Sequence, residues 1–151
     1  MTGADRVVLY WDASAIVSAL FRDRYSSEAL QWAAVEGLHL CSSLAWAEVH
    51  AVVARLQREA GLPDMLAESA LQTLEAGPGR LLATAPDPDW IGRLAARWPL
   101  RGADLWHLAM AVTLRRELPA LRMLTFDSRL YGAALGEGLA PEQAAASSPQ
   151  P

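Results

Sequence analysis

The sequence predicts an α/β sandwich around a mainly parallel sheet, and two observations carry that prediction. The first is the run Val7-Val8-Leu9-Tyr10-Trp11, followed at once by Asp12-Ala13-Ser14-Ala15. Aliphatic and aromatic residues in unbroken succession read as a strand buried on both faces, the pattern of parallel sheets. The second is that apolar strands alternate with helical segments along the rest of the chain, as in layered α/β units. Asp12 then stands where a central strand hands over to a helix. That carboxyl edge is where open α/β sheets collect ligands and chemistry.

Each element has a local reason. Residues 12–21 contain no glycine or proline and have helical character. Ser26 to Glu36 forms a short amphipathic helix, with Ser26 or Ser27 as cap and Gly37 as stop. Leu38 to Cys41 is a second strand. A longer helix runs from Ser43 to Ala60 with Ala45, Val49, Val52, Val53 and Leu56 on its apolar side, closed by Gly61 and Pro63. Another spans about Pro63 to Glu75, and Gly77-Pro78-Gly79 is a turn. Leu81 to Ala83 is a third strand, Trp90 to Arg97 a helix broken by Pro99, and Ala103 to Glu117 a helix apolar nearly all round and therefore buried. Leu121 to Phe126 is the fourth strand, ending on Asp127, and glycine-rich sequence follows. The expected organisation is one domain over residues 1–138 and a low-complexity, disordered tail over 139–151.

Composition excludes several classes. Hydrophobic residues make up 52% and charged residues 20%, enough apolar surface for a substantial core. No run approaches the roughly 18 apolar residues of a membrane span, and residues 1–6 do not begin a signal peptide. The single cysteine, Cys41, excludes an intrachain disulfide; it is expected to be a small buried hydrophobe in a reducing cytoplasm. All 13 basic residues are arginine. Chemistry that needs a lysine is therefore excluded: Walker P-loops, Schiff-base enzymes and phosphoaspartate proteins.

Four acids stand out. Asp12, Asp104 and Asp127 lie at or near helix starts, where aspartate is a favoured cap, so each has a purely structural explanation. Glu48 lies inside a helix, on the margin of the stripe formed by Val49, Val52 and Leu56 when projected at about 100° per residue. A carboxylate on the edge of a buried face needs a partner. Asp12 and Asp127 both follow apolar strands, so a parallel sheet delivers them to the same edge, and Asp104 opens the helix just before the Asp127 strand. Carboxylates gathered there cannot all ionise without a counter-ion. A hard divalent cation, Mg²⁺ or Mn²⁺, meets that need.

Four segments carry a resemblance: Asp12-Ala-Ser-Ala, Glu48 in a helix after Ser42-Ser43, Leu100-Arg-Gly-Ala-Asp104-Leu-Trp-His-Leu-Ala, and Leu124-Thr-Phe-Asp127-Ser-Arg-Leu. In order, spacing and flanks they resemble the PIN domain, and within it the VapC-like toxins of bacterial toxin–antitoxin pairs, over about residues 7 to 135. The resemblance implies a three-layer α/β/α sandwich and an endoribonuclease dependent on Mg²⁺ or Mn²⁺. It implies that Asp12, Glu48, Asp104 and Asp127 hold the metal and are catalytic, with Ser14 and Thr125 supporting them. An RNA substrate, a cognate antitoxin protein and a homodimer are the implied partners, and no membrane is involved. The net charge of −4 departs mildly from an RNA-binding composition.

Arg22, Arg24 and Arg55 are candidate phosphate contacts, and Trp46 and Trp90 candidate stacking surfaces. His107, one helical turn after Asp104, reads as a packed, hydrogen-bonded core histidine. Two alternatives stand beside the toxin: a catalytically weak binding module on the same fold, and an RNA-processing nuclease without an antitoxin.

Overall fold

The computed structural model describes residues 6–142. Among them, β1 (Val7–Trp11), β2 (Gly37–Ser42), β3 (Gly79–Leu82) and β4 (Leu121–Leu124) form one sheet in the order β3-β2-β1-β4. Every pairing is parallel, with Tyr10 beside Leu40 on one flank and Met123 on the other. The connections are α1 (Ala13–Leu20), α2 (Ser26–Ala33), α3 (Ser43–Glu59), α4 (Asp64–Ala76), α5 (Pro88–Arg97) and α6 (Gly102–Arg115), and α7 (Ser128–Gly136) follows β4.

The period of the strand sorts the core into two layers. On one face of the sheet, Val8 and Tyr10 join Leu38, Leu40, Leu121 and Met123 against α5, α6 and α7. On the other, Val7, Leu9 and Trp11 join Cys41 and Leu124 against α1, α2, α3 and α4. The result is the expected three-layer α/β/α sandwich. β1 is central and buried, and six consecutive residues of α6, His107 to Val112, are buried. Cys41 is buried too, as its apolar surroundings in the sequence imply.

Two sequence expectations need correction around β4. That strand stops at Leu124 rather than Phe126. The Asp12 N–H donates to the Leu124 carbonyl at 3.1 Å, the last bond of the ladder. The next two amides go to hydroxyls instead: Phe126 N–H to Ser14 Oγ and Asp127 N–H to Thr125 Oγ1. The glycine-rich stretch beyond it is the helix α7, capped by Asp127, whose Oδ1 accepts from the Arg129 and Leu130 amides. Gly136 is there for space: a Cβ at that position would lie 2.2 Å from the Trp98 ring.

The domain also runs one residue past the expected boundary at 138. Leu139 is fully buried, and its carbonyl accepts from the Met123 amide at 2.7 Å, giving β4 a partner on its free side. The expected tail falls mostly on residues 143–151, outside the described residues. Leu139→Ala should therefore cost about 2–5 kcal/mol, as deletion of a buried leucine does. Urea unfolding of the two proteins measures it, and a cost under about 0.5 kcal/mol would place Leu139 outside the core.

Candidate active site

Asp12 caps α1, and its carboxylate is buried in a ring of donors. Oδ1 accepts the Ala15 amide at 2.9 Å and the Ser14 hydroxyl at 2.7 Å. Oδ2 accepts the Thr125 hydroxyl at 2.5 Å, and Ser14 Oγ lies 2.9 Å away. Ser14 and Thr125 are themselves 3.3 Å apart and are pinned by the Phe126 and Asp127 amides. The β1–α1 and β4–α7 junctions are thus stitched together through one carboxylate. Burial pushes the Asp12 carboxyl above the usual carboxylate range, while the Thr125, Ala15 and Ser14 hydrogen bonds and the nearby His107 pull it back.

Glu48 finds the partner that its place on the helix demanded. Its Oε1 lies 2.6 Å from Nε2 of His107, and Nδ1 of the same ring lies 2.7 Å from the Tyr10 hydroxyl. Burial raises the Tyr10 phenol far above its ordinary range, so it keeps its proton beside Nδ1. The His107 ring thus bridges Tyr10 and Glu48 through its two nitrogens. His107 is packed and hydrogen-bonded, as read from the sequence, but its partner belongs to the acidic group. Its place three residues after Asp104, on the same face of α6, was the available signal.

Asp104 is half-buried in the first turn of α6, within range of the charges of two of the other acids, Asp127 and Glu48. Burial raises its carboxyl, the like charges of Asp127 and Glu48 raise it further, and His107 and Arg101 oppose them. Asp127 is exposed at the start of α7. The four sequence-predicted acids therefore gather at the carboxyl edge of the sheet, from β1, α3, α6 and the β4–α7 junction. Asp12 and Asp127 cap helices as well, so the structural explanation holds for both as far as it goes; Asp104 makes no cap.

The donor set suits a hard cation. It is all carboxylate oxygen, with repulsion inside it that a divalent ion relieves. The side chains as they stand are not a finished ligand shell: among the described residues no three His, Cys, Asp or Glu side chains are grouped to hold an ion. Glu48 is committed to His107 and Asp12 to hydroxyls.

His107→Leu should leave the buried Tyr10 hydroxyl without its bond and Glu48 without its anchor. A loss of about 1–3 kcal/mol is expected, the cost of stranding a buried polar group. Thermal melts read it; an unchanged melting temperature would mean that the hydroxyl finds another partner.

The arginines and tryptophans divide. Arg22 and Arg24 are exposed between α1 and α2, and the Arg24 guanidinium lies 4.7 Å from the Tyr25 ring centroid. Arg55 is exposed on α3, two helical turns from Glu48. The rings of Trp46 and Trp90 are already engaged, by His50 and by the Arg93 guanidinium.

The chain as a whole has counterparts among known proteins. The sequence model of the PIN domain matches residues 9–135. The chain belongs to the PIN domain family. It is 34% identical over 142 residues to the protein named Ribonuclease VapC45 of Mycobacterium tuberculosis (strain CDC 1551 / Oshkosh), covering 90% of this chain and 96% of that one. Ribonuclease VapC49 of strain ATCC 25618 / H37Rv matches to the same extent. Among solved structures, the PIN domain described here is similar to VapC20 of M. tuberculosis, described as a sarcin-ricin loop cleaving toxin (TM-score 0.56, 14% identity, 83% of this chain and 94% of that one). It is also similar to VapBC2 of Rickettsia felis bound to a promoter DNA fragment (TM-score 0.53, 14% identity, 78% and 98%). At those identities the likeness is one of fold.

Proposed function

We propose that this PIN domain is an endoribonuclease dependent on Mg²⁺ or Mn²⁺ that hydrolyses RNA phosphodiester bonds, and that it is the toxin of a toxin–antitoxin pair. The observation that carries the reading is the concentration of Asp12, Glu48, Asp104 and Asp127 at one sheet edge, where the charges of Asp127 and Glu48 raise the Asp104 carboxyl. The ribonuclease names of the two relatives at 34% identity support it.

Asp12 and Asp104 would hold the ion, with Glu48 and Asp127 completing its surroundings. A bound Mg²⁺ or Mn²⁺ supplies an acidified water and neutralises charge building on the phosphate. The chain's own residues do the positioning. Ser14 and Thr125 fix the Asp12 carboxylate, and the Ala15 amide at the N-terminus of α1 offsets its charge. His107 anchors Glu48 and fixes where its carboxylate stands. Arg24, exposed and held over Tyr25, whose ring stacks on Phe126 next to Asp127, would offer charge for a flanking phosphate, and exposed Arg22 a further one.

The antitoxin reading has separate support. A groove of about 170 Å³ lies between α1, α2 and α4, lined by Ile16, Leu20, Leu30, Ala33 and Leu74. Leu30 is exposed in it, and Met65 and Leu66 are exposed at the start of α4, apolar surface that an amphipathic helix of a partner or a second copy of the chain would cover. No helix among the described residues is long and apolar enough to cross a membrane.

Incubation of the purified chain with single-stranded RNA tests the reading. Cleavage should require Mg²⁺ or Mn²⁺ and stop with a chelator. Cleavage that persists in chelator would overturn the metal dependence, and intact RNA under all conditions would overturn the nuclease.

A further inference from the structure

A second cavity, of about 280 Å³, opens beside the acidic edge and shares Thr125 with it. Glu28 and Trp32, four residues apart on one face of α2, line it together with Tyr25, the residue that precedes the helix, and Ser128 and Tyr131 line it from the first turn of α7. Phe126 lines it as well. Its ring lies parallel to Tyr25, centroids 4.8 Å apart and planes within 2°. Thr125, which holds Asp12, and Asp127 are the residues on either side of Phe126.

We propose that this cavity receives one base of the RNA next to the scissile phosphate, and that the base it fits is guanine. The inference rests on the nuclease reading above and extends it to substrate selection. Three features point to a base. The walls are aromatic, and base stacking on aromatic rings is how single-stranded RNA is gripped. Tyr131 is 38% exposed and supplies the surface for stacking, whereas the Tyr25 ring already has Phe126 and the Arg24 guanidinium against it. The cavity adjoins the residues that hold the reacting edge, so a base seated there has its phosphate near Asp12. The Arg24 guanidinium over Tyr25 puts a cation at the rim for that backbone.

The choice of guanine comes from Glu28. It is exposed, it lines the cavity, and it takes part in no salt bridge among the described residues. A carboxylate accepts two parallel N–H donors, and guanine alone among the four bases carries two adjacent ones on its Watson–Crick edge, N1–H and the exocyclic amine. Ser128 across the cavity offers a hydroxyl that donates or accepts.

The test uses two exposed variants, Tyr131→Ala and Glu28→Gln, after thermal melts show both folded like wild type. The substrate is a short unstructured RNA with one guanosine, compared with the same strand carrying inosine there, which lacks only the amine. Wild type should cleave beside guanosine roughly ten-fold faster in kcat/KM than beside inosine, and Glu28→Gln should lose that preference. Tyr131→Ala should raise KM roughly ten-fold with kcat little changed, the signature of lost stacking. Wild-type KM in Tyr131→Ala, or equal cleavage beside guanosine and inosine by wild type, would overturn the proposal. Binding of GMP, AMP, CMP and UMP to Asp12→Asn, followed by NMR, separates this from failure of the nuclease reading. Preference for GMP that vanishes with Glu28→Gln supports the base site even if no RNA is cut; equal or absent binding of all four overturns it.

Discussion

Asp12→Asn should reduce RNA cleavage by orders of magnitude and leave the metal-free fold at least as stable as wild type. Asparagine caps helices about as well as aspartate. The ring of donors adapts to it: Oδ1 keeps the Ala15 amide, and the new amide can donate to Thr125 Oγ1, which has a second lone pair besides the one taken by the Asp127 N–H. What disappears is a buried negative charge beside other acids. The folded carboxyls of Asp12 and Asp104 are raised above their unfolded values near about 3.9. The folded state therefore binds protons more tightly. Both groups reduce stability at neutral pH, and that loss is recovered as pH falls through their raised folded values toward the unfolded one. Without divalent ions, wild type should gain stability on mild acidification, and Asp12→Asn should lose the Asp12 share of the gain. A ligand at 100 times its Kd stabilises by about 2.7 kcal/mol; that response to Mn²⁺ should nearly vanish in the variant. The loss of affinity should exceed the roughly 10–100-fold typical of residues that only orient ligands. Melts with and without Mn²⁺, beside a cleavage assay, decide the matter. A variant that cuts RNA at the wild-type rate would reduce Asp12 to a helix cap.

Thr125→Val should cost roughly 2–4 kcal/mol and depress cleavage strongly, although the side chains are nearly the same shape. The hydroxyl is buried, donates to Asp12 Oδ2 and accepts the Asp127 amide, so valine removes a bond to a charged group and strands an N–H. The Thr125 bond is also the strongest influence holding the Asp12 carboxyl down, so its loss raises that group further and weakens its hold on a cation. The effect is one of charge, which a double-mutant cycle exposes. In the Asp12→Asn background the same substitution should cost less, with a coupling of about 0.5–3 kcal/mol. Denaturant unfolding of the four proteins gives the number. Equal costs in both backgrounds would show that Thr125 packs rather than holds the carboxylate.

Much of the fold was legible because the local signals agree. The unbroken apolar run of β1, the apolar α6 and the Gly-Pro-Gly turn before β3 each specify an element by period or by breaker, and a parallel order of strands then sends Asp12 and Asp127 to one edge. The miss at α7 came from weighing Gly132 and Gly136 by propensity. The Trp98 ring decides that Gly136 has no Cβ, and Trp98 is 38 residues away along the chain.

The site divides the same way. Which acids the fold would bring to one edge was readable from the chain alone, because strand ends and a polar residue inside an apolar stripe are local features. Which groups they touch was not. Thr125 meets Asp12 across 113 residues, His107 meets Glu48 across 59, and Tyr10 meets His107 across 97. Hydrogen bonds form between side chains that packing brings within about 3 Å, and no period along a sequence encodes such a distance. The order of the elements settled the edge at which the carboxylates would stand; the packing of α6 against β1 and α3 alone settled that a histidine, rather than an arginine, would hold Glu48.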